Sequence, residues 1–220
     1  MNKIFKTRQV IAICLTSILS ISLSFSLLDQ VTANSGKKSR EGLPGRRYGG
    51  GSRGCNEDMR GRLTALTPEN NLVLTKSAYP YFLFYLPKTS KPTMVELVLQ
   101  DDNRNIVYEK AFTTDSTGGV INVSLPDSIA PLAMNKMHRW YFSVLCDPKN
   151  RAHDIVVDGW IKRVAVNNLW QDKLVKLAKK RHEKLNDSLL ANSWKELLQY
   201  EKLDVIAQQP LLKLKINKEK

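Results

Sequence analysis

The residues of this chain whose types could do chemistry are few and scattered. His153-Asp154 is the one candidate acid–base pair, and it would suit hydrolysis if both side chains met one substrate. Adjacent residues in a strand point to opposite faces, which argues against that contact. Ser143 lies near His138 in sequence, but no Gly-x-Ser-x-Gly elbow surrounds it. His182 falls on the polar side of a predicted helix. There is no His-x-x-x-His or Cys-x-x-Cys spacing, so neither a metal site nor a cofactor is expected. Asp101, Asp102, Asp127 and Asp147 sit in turn sequences, a better use for them than calcium ligation or glycosidase chemistry. The expectation is a non-enzyme without catalytic residues, with a hydrolase as the weaker alternative.

A second group of residues could bind rather than react. Gly49-Gly50-Gly51-Ser52-Arg53-Gly54 formally matches the dinucleotide pattern G-x-G-x-x-G, but no strand precedes it and no helix follows. Arg46, Arg47, Tyr48 and Arg53 remain candidates for contact with an anionic group or a partner, with the glycine amides beside them. The bland alternative is a solvated spacer.

These residues lie just behind an export signal. Lys3, Lys6 and Arg8 make a positive start, residues 10–28 are apolar and uncharged, and Val31-Thr32-Ala33 supplies small residues for cleavage. The rival reading is a retained membrane anchor. Cys14 opens the apolar run rather than following it, so no lipoprotein anchor is expected. Cleavage after Ala33 leaves two cysteines, Cys55 and Cys146. In an oxidising compartment such a pair suggests a disulfide, the alternative being two thiols that never meet. A bridge across so long a loop would stabilise by on the order of 4 kcal/mol.

The chain carries 34 Lys and Arg against 21 Asp and Glu, and the cleaved form keeps a net charge of +11. Residues 34–54 and 169–220 each hold +5, while 55–168 hold only +1. Basicity therefore sits in the flanks. An exported protein does not meet the genome, so nucleic acid is excluded as a partner. An envelope protein, an acidic polysaccharide or an anionic lipid surface fits better. Nothing in the sequence sets an oligomeric state.

The elements that must position these residues follow from periodicity. Residues 34–54 bury almost nothing and read as a flexible Gly/Arg-rich leader. Eight strands are predicted at 62–67, 71–76, 81–86, 94–100, 105–112, 119–125, 138–146 and 154–166, separated by Pro, Gly, Asn and Asp turns. Asp101-Asp102-Asn103-Arg104 is the clearest hairpin among them. Alternation such as Val95, Leu97 and Leu99 against Glu96 and Gln100 gives each strand one wet and one dry face. No helical stretch intervenes, so the sheets are expected to be antiparallel. The fold class is mainly β: an antiparallel β-sandwich of immunoglobulin/fibronectin-like architecture over 55–166. Its centre is the strand His138 to Cys146, with Trp140, Phe142, Val144 and Cys146 on one face and Arg139, Tyr141 and Ser143 on the other. Gly159 breaks the alternation, and a bulge there would turn Trp160 into the core beside Trp140 and Phe142. The rival is an exposed Trp160 in a binding surface.

Beyond Asn167 the period becomes helical. Leu169, Trp170, Leu174, Leu177 and Leu185 mark one helix. Trp194, Leu197, Leu198, Leu203 and Ile206 mark a second that starts at Ser193, or already at Asp187, and stops at Pro210. Residues 167–209 thus read as an αα-hairpin, and 210–220 as a frayed basic tail.

The stretch Gly42-Leu43-Pro44-Gly45-Arg46-Arg47-Tyr48 running to Cys55, Leu63-Thr64-Ala65-Leu66, Arg139-Trp140-Tyr141-Phe142, Cys146-Asp147-Pro148 and Asp158-Gly159-Trp160-Ile161-Lys162-Arg163-Val164 occur in this order. In them the chain resembles an uncharacterised, mostly cyanobacterial family, domain of unknown function 928, over about residues 42–166. The resemblance implies an envelope or secreted protein with no assigned activity and no catalytic residues to carry over. It also implies that the Gly-Arg segment docks rather than merely spaces. Two roles follow as expectations: a binding or accessory module of the cell envelope, or a structural or secretion-linked subunit that assembles by strand addition or through its helices.

Overall fold

The structure, a computed structural model, describes residues 43–50, 63–147 and 149–212. Arg53, Cys55 and the expected signal peptide lie outside the described residues. The chain forms β1 (Thr64–Ala65), β2 (Leu72–Thr75), β3 (Tyr81–Leu86), β4 (Thr93–Gln100), β5 (Ile106–Thr114), β6 (Gly119–Ser124), β7 (Met137–Leu145) and β8 (Ile155–Arg163). Two helices follow, α1 (Trp170–Glu183) and α2 (Ser188–Tyr200). The protein is mainly β, with a three-stranded sheet ordered β1-β3-β6 and a five-stranded sheet ordered β2-β8-β7-β4-β5.

All but one of the strand pairs are antiparallel. The exception corrects the expectation of wholly antiparallel sheets: β2 runs parallel to β8, with Leu72 opposite Trp160 and Thr75 opposite Arg163. A parallel pair needs a long connection, and five intervening strands supply it.

Side chains of both sheets meet in one core. Phe82, Phe84, Ile121 and Val123 of the smaller sheet pack with Val95, Leu97, Trp140, Phe142, Val157 and Ile161 of the larger. The Phe84 and Phe142 rings stack at 3.8 Å between centroids and 8° between planes. Trp140 meets the edge of Phe84 at 5.7 Å and tilts toward Phe82 at 6.1 Å. Such pairs add about 0.5–1.5 kcal/mol beyond the area they bury.

The second face of the smaller sheet is largely covered, against the expectation of a wet face on every strand, although Asn122 stays exposed. Leu66, Leu83 and Val120 on that face are buried with Leu174 and Ala178 of α1 and Trp194 and Leu198 of α2. This explains why β3 reads Tyr-Phe-Leu-Phe-Tyr-Leu without polar interruption: a strand covered on both sides keeps both sets of residues apolar. The Asp187 carboxylate caps α2 by accepting from the Leu189 and Leu190 amides at 3.0 and 3.1 Å. The second helix also stops earlier than its spacing predicts. Lys202 takes a left-handed φ of 57°, and the Lys202 and Leu203 amides donate to Gln199 and Leu198, each at 2.9 Å. That closure ends the helix at Tyr200, so Leu203 and Ile206 reach the core from outside it.

The bulge expected at Gly159 is absent. β7 and β8 pair without a slip from Met137↔Lys162 to Val144↔Ile155, with Trp140 opposite Gly159. A Cβ on Gly159 would lie 2.6 Å from Cζ2 of Trp140. The glycine is thus the hole into which the indole fits, and its neighbour Trp160 points the other way. Gly159→Ala should cost about 1–3 kcal/mol by overpacking, read as a lower urea midpoint with an unchanged slope. A neutral outcome would mean that the ring is not confined there.

Candidate functional site

The regular β7–β8 register sets out a polar stripe on the outer face of the larger sheet. Arg139, Tyr141 and Ser143 of β7 stand opposite Trp160, Asp158 and Val156 of β8. Asp158 is the electrostatic centre, with its side chain only 4% exposed. Its Oδ2 accepts from Nη2 of Arg139 at 2.6 Å, and its Oδ1 from Nε of Arg46 at 3.5 Å. The Arg139 guanidinium lies 5.1 Å from the Tyr141 ring centroid and 5.3 Å from that of Trp160. One cation is therefore held between two aromatic rings. Lys162 continues the same face of β8, two residues beyond Trp160.

The leader reaches this stripe. Residues 43–50, expected to be flexible, are hydrogen-bonded to several elements. Arg46 and Asp158 exchange two backbone hydrogen bonds at 2.9 Å. Gly49 donates to the Leu63 carbonyl, and Ala65 to that of Arg47, each at 2.8 Å. Trp160 Nε1 donates to the Pro44 carbonyl at 2.9 Å. The close approach needs glycine: a Cβ on Gly45 would lie 2.6 Å from the Asp158 carbonyl oxygen.

The candidate binding residues separate on this geometry. Arg46 is an open group, its side chain 61% exposed. Arg47 is instead buried, its Nη2 donating at 2.6 Å to the Glu201 carbonyl just past α2. Burial lowers its pKa, and nearby Tyr48, Glu201 and Glu69 push it back. A guanidinium at the carbonyl-rich end of a helix is favourably placed, so Arg47 ties the leader to the helices and does not face a ligand. Tyr48 is half exposed and bridges to Thr64. Trp140 and Phe142 are wholly buried, as expected, whereas Trp160 is only partly buried and belongs to the outer face, which corrects its expected place in the core.

The residues weighed for hydrolysis lie in separate contacts. The Asp154 carboxylate accepts from Nε of Arg151 and from the Cys146 amide, while Arg151 also bridges to Glu96. Those two acids raise the Arg151 pKa, Glu96 most of all. Nε2 of His153 lies 3.3 Å from Nδ2 of Asn150. His138 is buried, and desolvation pushes its pKa below the ordinary imidazole value. Cys146 is partly buried against the shared core. Among the described residues no group of three His, Cys, Asp or Glu side chains gathers as a metal site would. His182, Lys179 and Glu183 of α1 rim a shallow hollow of about 180 Å³ over Leu83, Val120 and Leu212.

Asp158 and Arg139 were not singled out by type. The signal for them is positional: an acid in Val157-Asp158-Gly159-Trp160, on the face opposite Val157, must find a cation on the neighbouring strand.

Fold and site together define a class: a two-sheet, mainly β protein with two C-terminal helices and a leader segment docked on its larger sheet. A family model described as Domain of Unknown Function (DUF928) matches residues 48–168 and 164–211. The chain belongs to that family. None of the curated proteins matches it.

Asp158→Asn would leave two guanidiniums on a neutral amide. Because both arginines are partly solvated, the expected loss is on the order of 1–3 kcal/mol, less than for a fully buried pair. Amide hydrogen exchange at Arg46 should quicken alongside. Unaltered stability and exchange would remove Asp158 from the centre of the site.

Proposed function

We propose that the protein is an exported, non-enzymatic binding or accessory module of the cell envelope, working through the outer face of its larger sheet. The observation that carries this reading is the open Arg46 guanidinium, which shares one buried carboxylate with Arg139, itself held between the rings of Tyr141 and Trp160. A cationic, ring-bearing patch that packs no core of its own is what a recognition surface needs. The finer architecture is an antiparallel β-sandwich of immunoglobulin/fibronectin type with one parallel edge, followed by an αα-hairpin. Support comes from the common core of the two sheets and from the short link between α1 and α2. Export through a cleaved signal and a Cys55–Cys146 bridge complete the proposal. Among the described residues, no helix is long and apolar enough to cross a membrane.

A second reading is assembly by strand addition. The nine-residue β5 forms an edge of the larger sheet, and Ile106 and Val107 on it are 57% and 39% exposed. Its register shifts beside Gln100, and Lys110 stands opposite the core residue Leu97. Shifts and inward charges are devices that blunt an edge, so the first reading stands ahead.

The secreted form should begin at Asn34 and weigh two hydrogens less than its reduced form. It should sediment with envelope fragments of the producing cell, and Arg46→Gln should release it while leaving it folded. Retention of residues 1–33 would sink export with cleavage. Two free thiols would sink the bridge, and an envelope interaction indifferent to Arg46 would sink the outer-face reading.

A further inference from the structure

Resting on that reading, we infer that the Trp160 end of the outer face binds an acidic polysaccharide, a chain of uronate sugars. Charge picks the end. Arg46 and Arg139 share the carboxylate of Asp158 and Lys162 follows Trp160 along β8, whereas toward the start of β8 Arg151 is matched by Glu96 and Asp154. The face is therefore positive at Trp160 and negative at Arg151, and an anion is drawn to the first.

Geometry picks the ligand. Tyr141, Arg139 and Trp160 present ring, cation and ring in succession. A uronate chain offers a matching series, with an apolar C–H ring face and a carboxylate on every unit. Among the described residues Arg46 donates to Asp158 through Nε, leaving Nη1 and Nη2 as a fork for a carboxylate. Asp158 orients both guanidiniums and lowers the local charge, which suits weakly charged sugars better than phosphate polymers. Leu72 of β2, opposite Trp160, extends the apolar floor. The indole N–H is already taken by Pro44, so Trp160 has its ring rather than a donor to offer.

The test uses the secreted chain, residues 34–220, titrated calorimetrically with polygalacturonate at low salt, with neutral dextran as control. Wild type should bind the polyuronate and not dextran. Arg46→Gln should weaken binding by about 10-fold, the worth of one charge-assisted pair. Trp160→Phe should stay within about 3-fold, and Trp160→Ala should lose on the order of 10-fold. Lys179→Gln and Lys195→Gln on the helices should change affinity by less than about 2-fold, since they lie off the stripe. Thermal unfolding of each variant separates lost binding from lost folding, and the exposed Arg46 gives a variant that folds.

Equal losses at the helix lysines would reduce the interaction to net charge and overturn the inference, as would equal binding of dextran. Absence of polyuronate binding overturns it too. If envelope sedimentation still depended on Arg46 in that case, only the ligand class would fall. If it did not, the module reading would fall with it.

Discussion

The fit of Trp140 into the space left by Gly159 fixes most of what this structure does. The indole is fully buried between Phe82, Phe84 and the β8 backbone, where a single methyl group would collide with it. A strand whose one admissible partner for a large ring is a glycine cannot slide. A slip of one residue would send Trp140 to solvent and Arg139 into the core. With the register locked, Asp158 and Trp160 have only the outer face to occupy, and Arg139 must lie between Tyr141 and Trp160. The polar stripe of the outer face is thus a by-product of core packing by the adjacent residues Trp140 and Gly159.

Strand and helix positions were largely legible in the sequence. Alternation in Val95-Glu96-Leu97 and Ile121-Asn122-Val123 marked both faces correctly. The start at Ser193 falls inside α2, and the alternative start at Asp187 is the one that caps the helix. What alternation could not give was the covering of β3 and β6 by helices, because a continuous apolar run is equally consistent with several neighbours. The parallel β2–β8 pair was hidden because it depends on residues almost ninety positions apart rather than on any local pattern. Trp160 was misplaced for a related reason: a glycine in a strand suggests a bulge, and only knowledge of its cross-strand neighbour reveals a socket. The leader misled by composition. Gly, Arg and Pro look unstructured one at a time, yet here glycine permits backbone contact and arginine supplies long donors to distant acceptors.

The basic flanks gain a different meaning from this arrangement. Neighbouring arginines diverge: Arg46 lies open beside a carboxylate, and Arg47 is sunk against the end of α2. A cation in the second setting neutralises backbone carbonyls and adds little to the field outside. Counting charges along the chain therefore overstates the cationic surface, and burial sorts the sunken guanidinium from the open one.

Residues 45–49 meet both sheets and, through Arg47, the turn after α2. They are made early, yet their acceptors at Asp158 and Glu201 are made more than a hundred residues later. Such a clasp cannot fasten while the chain is still emerging from the ribosome. Closure must await nearly the whole polypeptide, so the leader is seated late, after the strands and helices that it joins.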